Sequence, residues 1–82
     1  MPRLRRLSGK AVVEILERFD FEVIHTSGSH YRLRRTVGGK EQSITVPIHG
    51  NKQLKLPTLS SIYRQARRYI PETDLKPYFY TD

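Results

Sequence analysis

The stretch His30-Tyr31-Arg32-Leu33-Arg34-Arg35-Thr36-Val37-Gly38-Gly39-Lys40-Glu41-Gln42-Ser43-Ile44-Thr45-Val46 decides the fold. Aromatic and β-branched residues alternate with polar ones on both sides of a Gly-Gly pair, and two adjacent glycines supply the positive φ angles of a tight hairpin turn. Two antiparallel strands follow, His30–Val37 and Lys40–Val46. In the first of them Tyr31 and Leu33 share one face, while His30, Arg32 and Arg34 share the other. Pro47 cannot donate to a ladder and closes the second strand. Working back, Phe21-Glu22-Val23-Ile24-His25 reads as a further strand, stopped by Thr26-Ser27-Gly28-Ser29.

Helices flank these strands. Ser8 suits an N-cap, with Leu7 placed to staple against Val12. Val12, Ile15, Leu16 and Phe19 recur at helical spacing, and Asp20 tolerates the left-handed backbone that ends such a helix. Beyond the polar loop His49–Gln53, Pro57 suits a first helical turn. Leu59, Ile62, Tyr63 and Ala66 repeat at helical spacing, Ile70 lies one turn on, and Pro71 stops the run. The expectation is an α+β chain in the order α-β-β-β-α. One three-stranded antiparallel sheet carries two helices on one face, because two helices with one apolar stripe each can cover only one side. The domain is expected over residues 1–70. Residues 71–82 form a C-terminal tail whose Tyr78-Phe79-Tyr80 run either packs back or meets a partner protein.

The chain has 82 residues, 15 Lys and Arg against 8 Asp and Glu, and a net charge of +7. That balance favours an anionic partner, with nucleic acid the leading candidate and attraction that weakens in salt. No apolar run approaches the ~20 residues needed to span a bilayer, and Met1–Arg6 has charge without the apolar region of a secretory signal, so a cytoplasmic protein without membrane contact is expected. With no cysteine, disulfides and thiolate metal sites are excluded. Three histidines raise the question of a metal site, but their spacing and the lack of a carboxylate cluster argue against one, and no cofactor is implied. Neither a phosphate-binding Gly-rich loop ending in Lys-Ser/Thr nor a serine nucleophile with identifiable partners is present.

His30 is the candidate for chemistry, against the plainer alternative that it caps a strand with its ring hydrogen-bonded to the loop. Imidazole titrates near pH ~6.5 as a reference, so a neutral ring near physiological pH can take the proton from a ribose 2′-hydroxyl and let that oxygen attack the adjacent phosphorus. Arg32 and Arg34 on the same face match phosphate oxygens, and would stabilise charge gathering there without a metal. His49, in the loop after the third strand, is a second candidate that could reach the same phosphate as a general acid. Lys52 and Lys55 extend the basic inventory, which also includes Arg35 and Arg64. Ser29 precedes the histidine. His25 shares parity with Phe21 and Val23 and is expected to be partly buried at a strand end.

Gly28-Ser29-His30-Tyr31, Val46-Pro47-Ile48-His49-Gly50 and Leu54–Leu59 running into Ser61–Ala66 resemble, in this order and spacing, the HicA toxin family. The resemblance runs from Leu7 to about Arg68. It implies a small ribonuclease that cleaves messenger RNA, a fold like the double-stranded-RNA-binding domain, and a HicB-like antitoxin that holds the toxin inactive. His30 matches the family's catalytic histidine. The chain departs from the pattern at Asp20, where glycine is common, at His25 and Ser27, where basic residues are frequent, and at Pro57. By this reading Ser29, Arg32, Arg34, Lys52 and Lys55 contact RNA. The competing readings are a non-catalytic RNA-binding module, which uses the same fold and charge, and a protein-interaction domain using the aromatic tail.

Overall fold

The Gly28-Ser29 and Gly38-Gly39 pairs fold three consecutive segments into one antiparallel sheet. Residues 2–81 are described by a computed structural model. The elements are β1 (Arg3–Leu4), α1 (Gly9–Glu17), β2 (Glu22–Ser27), β3 (His30–Val37), β4 (Lys40–Pro47), α2 (Leu56–Ala66), α3 (Glu72–Phe79) and β5 (Tyr80–Thr81). β2, β3 and β4 pair in that order, with β3 central. Gly38 and Gly39 both have positive φ, 58° and 78°, which gives the type I′ turn that matches strand twist. The expected α-β-β-β-α order is therefore present. Around it lie a third helix and a two-stranded ribbon of β1 with β5.

The helices start and stop as their end residues dictate. The Ser8 hydroxyl accepts from the Ala11 amide at 3.1 Å, and Asp20 adopts φ 70° beyond the end of α1. Gly9 opens α1 against the end of β4, where a Cβ would run into the Pro47 carbonyl oxygen. Leu16, Leu33, Ile44, Val46, Leu59 and Ala66 form one core between α1, α2 and the inner sheet face. No helix among the described residues is long and apolar enough to cross a membrane.

Residues 72–81, expected as a tail, are helix and strand. Glu72 and Asp74 sit in the first turn of α3, where carboxylates complement the helix dipole. Leu75 and Phe79 are fully buried in the common core, so Tyr78-Phe79-Tyr80 packs back on the domain. The Phe79 ring meets Tyr63 at 5.3 Å between centroids. The Tyr63 hydroxyl donates to Glu72 at 2.8 Å, and burial together with that carboxylate pushes the phenol up to about 12. At the other end, the Arg5 amide donates to the Phe79 carbonyl at 2.7 Å, drawing both termini together.

Arg35 does not share the outward face of Arg32 and Arg34. Strand alternation turns it to the helix side, where its Nη1 donates to the Phe19 carbonyl at 2.8 Å and its Nη2 to the Tyr69 carbonyl at 2.7 Å. Its Nε donates to Gln42 Oε1 at 2.6 Å, and the guanidinium lies 4.9 Å from the Phe21 ring centroid. Because one fork holds acceptors from three elements, Arg35→Ala is expected to cost about 2–4 kcal/mol of folding stability. Arg35→Lys should recover less than half of it, since an ammonium cannot span the three acceptors. Urea denaturation checks this, and a midpoint unchanged in the alanine variant would contradict the assignment.

Candidate active site

The sheet face turned away from the helices carries the residues expected to do chemistry. His30 is the first residue of β3, directly after the Gly28-Ser29 turn, and stands opposite Ser27 on β2 and Pro47 on β4. Gly28 has φ 56° while Ser29 does not enter positive φ, the pattern of a type II′ turn. The Ser29 carbonyl accepts from the Ile48 amide, pinning the turn to the chain just past β4. The His30 side chain is exposed. Among the described residues no hydrogen bond engages its ring, so the imidazole is not tied to the loop.

Arg32 follows on the same face, between His25 on β2 and Thr45 on β4. Its Nε lies 3.4 Å from Ser43 Oγ, a loose contact that leaves the guanidinium available to an anion. Arg34 is also on this face but has carboxylates around it. Its Nη1 is 3.5 Å from Glu41 Oε2, with both side chains about half exposed, and Glu22 stands opposite it on β2. The positive field of the face is therefore concentrated toward the His30 and Arg32 end.

His49, Lys52 and Lys55 do not lie on the sheet face. They line a cleft of about 380 Å³ with Pro47, Gln53, Leu54 and Thr58. Pro47 belongs both to this cleft and to the cross-strand pair with His30, so the cleft opens beside the histidine. Its position is fixed from behind, because Ser8 bridges Gln53 and the Leu54 amide donates to the Leu7 carbonyl at 2.9 Å. Of the other basic residues, Arg67 pairs with Glu72 at 3.6 Å. Among the described residues no group of three or more His, Asp or Glu side chains gathers as a metal cradle.

His25 is not partly buried at a strand end, contrary to what its parity with Phe21 and Val23 predicts. It is exposed, and it shares the open face with Arg32. The register of β2 with β3 shifts between Val23 and His25, so Ile24 is the extra residue of a β-bulge and the parity of every later β2 residue is reversed. The available signal in the sequence was that Val23 and Ile24 are consecutive apolar residues where Phe21-Glu22-Val23 had alternated; in the structure Ile24 is 39% exposed.

A search of curated proteins finds no match, and neither does a search of solved structures. The family model described as HicA toxin of bacterial toxin-antitoxin matches residues 9–67. That span takes in α1, the whole three-stranded sheet, the cleft loop and α2. With its fold, the open face headed by His30 and a match over well more than half its length, the chain belongs to the HicA toxin family of bacterial toxin–antitoxin systems.

Proposed function

We propose that this toxin is an endoribonuclease that cleaves messenger RNA on the open sheet face without a metal, with His30 as the general base. The observation that carries the reading is the juxtaposition of an exposed imidazole with the Arg32 guanidinium on a face where, among the described residues, the ring has no hydrogen-bond partner and no helix gives cover. His30 takes the 2′-hydroxyl proton as that oxygen attacks phosphorus, giving a 2′,3′-cyclic phosphate and a departing 5′-oxygen. Arg32 binds the non-bridging oxygens, whose charge grows in the transition state. His49, Lys52 and Lys55 line one cleft and are assigned to the flanking nucleotide. Ser29 presents its hydroxyl from the turn beside the scissile phosphate. Arg34, tempered by its carboxylate neighbours, contributes less.

A toxin–antitoxin family brings an antitoxin partner with it. A HicB-like antitoxin is expected to cover His30 and Arg32 with acidic groups, which would exclude RNA and give salt-sensitive association. The alternative of a non-catalytic RNA-binding module shares the charge and the fold, and only turnover separates the two.

His30→Ala should lower cleavage of a defined RNA in EDTA by ~10²–10⁴-fold, the range for loss of a general base, while unfolding at the wild-type denaturant midpoint. Cleavage at the wild-type rate by the folded variant would sink the assignment. RNA binding is expected to separate the two arginines. Arg32→Gln should reduce the salt dependence of binding to single-stranded RNA by ~0.7 logarithmic unit, one phosphate contact, and Arg34→Gln by clearly less. The reverse ranking would place the phosphate track at the Arg34 end of the sheet.

A further inference from the structure

The bulge at Ile24 turns His25 onto the face of His30, and the pairing fixes how the two are related. His25 is directly opposite Arg32, and His30 is two residues from Arg32 on the same strand and the same face. Residues so placed across an antiparallel pair are diagonal neighbours, ~7–8 Å apart, within reach of long or aromatic side chains. Two imidazoles at that separation leave room for one phosphodiester between them, with the guanidinium at its non-bridging oxygens. Without the bulge, His25 would lie on the helix side with Val23, away from any phosphate on this face.

We propose that His25 is the general acid of the same cleavage, an inference that rests on the reading of His30 as its base. In-line displacement puts the attacking and leaving oxygens on opposite sides of phosphorus, so a single imidazole cannot serve both at once. As the 2′-oxygen bonds to phosphorus and its proton passes to neutral His30, the P–O5′ bond breaks. The electron pair goes to O5′, which takes a proton from the His25 imidazolium. The products are a 2′,3′-cyclic phosphate and a 5′-hydroxyl. His30 then returns its proton to solvent and His25 regains one, which leaves the protein unchanged. Imidazole can hold either protonation state near neutral pH. His49 is the other imidazole in the neighbourhood, but it lines the cleft with Lys52 and Lys55 beyond the end of the sheet. His25 is on the sheet face itself, in register with Arg32.

A leaving-group substitution tests this directly. An RNA with one sulfur replacing the bridging 5′-oxygen at the cleaved linkage expels a thiolate, whose conjugate acid is about seven units more acidic than an alcohol and needs no proton donor. His25→Ala should slow the all-oxygen RNA by ~10²-fold or more, yet leave the sulfur-linked RNA within about tenfold of wild type. His25→Gln keeps a polar side chain on an exposed strand position and should behave in the same way. Equal slowing on both substrates, no slowing on either, or full activity in the Gln variant would overturn the role of His25. So would sulfur rescue of His49→Ala in its place. His30→Ala should slow both substrates; if it cleaves them like wild type, or if the wild-type protein cleaves neither, the reading of His30 is the one that fails.

Discussion

Arg35 reaches under the sheet, not over it, and the rest of the molecule is arranged around that choice. Its fork holds the carbonyls of Phe19 and Tyr69, the chain just beyond α1 and just beyond α2, and the side chain of Gln42 on the neighbouring strand. Helix ends leave carbonyls without intrahelical partners, and a cation there also complements the negative end of the helix dipole. One half-buried guanidinium therefore joins both helix ends to the inner face of β3 and β4. Phe21 beneath it adds a cation–π contact. With both helices fixed on that side, no described residue covers the opposite face of the sheet, and Arg32 and Arg34, of the other parity, are left facing outward.

Much of this was legible in the sequence, for local reasons. The polar and apolar alternation of His30–Val37 specifies which residues face out, the glycine pairs specify their turns, and Ser8 and Asp20 mark the start and the stop around α1. What was illegible depended on tertiary context. Arg34 and Arg35 read as one basic run, and only the positions of the Phe19 and Tyr69 carbonyls show that the second of them is an interior fastener. The two prolines of the last segment argued for an irregular tail. Yet Pro71 caps α3 from outside, Pro77 lies inside that helix, and the burial of Leu75 and Phe79 outweighs its cost. Its acidic first turn was the available clue. The β2 bulge misplaced His25, since a single extra residue inverts the face of all that follow.

The open face is mainly polar but not uniform. At one end Glu22 and Glu41 surround Arg34. At the other, two imidazoles and the Arg32 guanidinium lie together, and beside them is a cleft carrying two lysines and a third imidazole. Under the proposed function, an incoming RNA strand would meet its strongest attraction at the His30 and Arg32 end, so the charge pattern would orient the backbone as well as attract it. The same concentration of charge would give the proposed antitoxin contact a compact target, because a few carboxylates placed over Arg32 would occupy the site assigned to the phosphate. Gly9 links this site to the packing: α1 approaches the end of β4 closely enough to set Pro47, and Pro47 is the strand partner of His30.

In the proposed mechanism His30 takes a proton from a ribose 2′-hydroxyl. The most direct test is an RNA oligonucleotide with one 2′-deoxyribose immediately 5′ of the cleaved phosphate, compared with the all-ribose strand for binding and for cleavage. On this account the deoxy strand binds with near-equal affinity and is not cut at that linkage, while other cleaved linkages are unaffected. Cleavage of the deoxy linkage at the all-ribose rate would rule out this role of His30, because no 2′-oxygen would be there to attack.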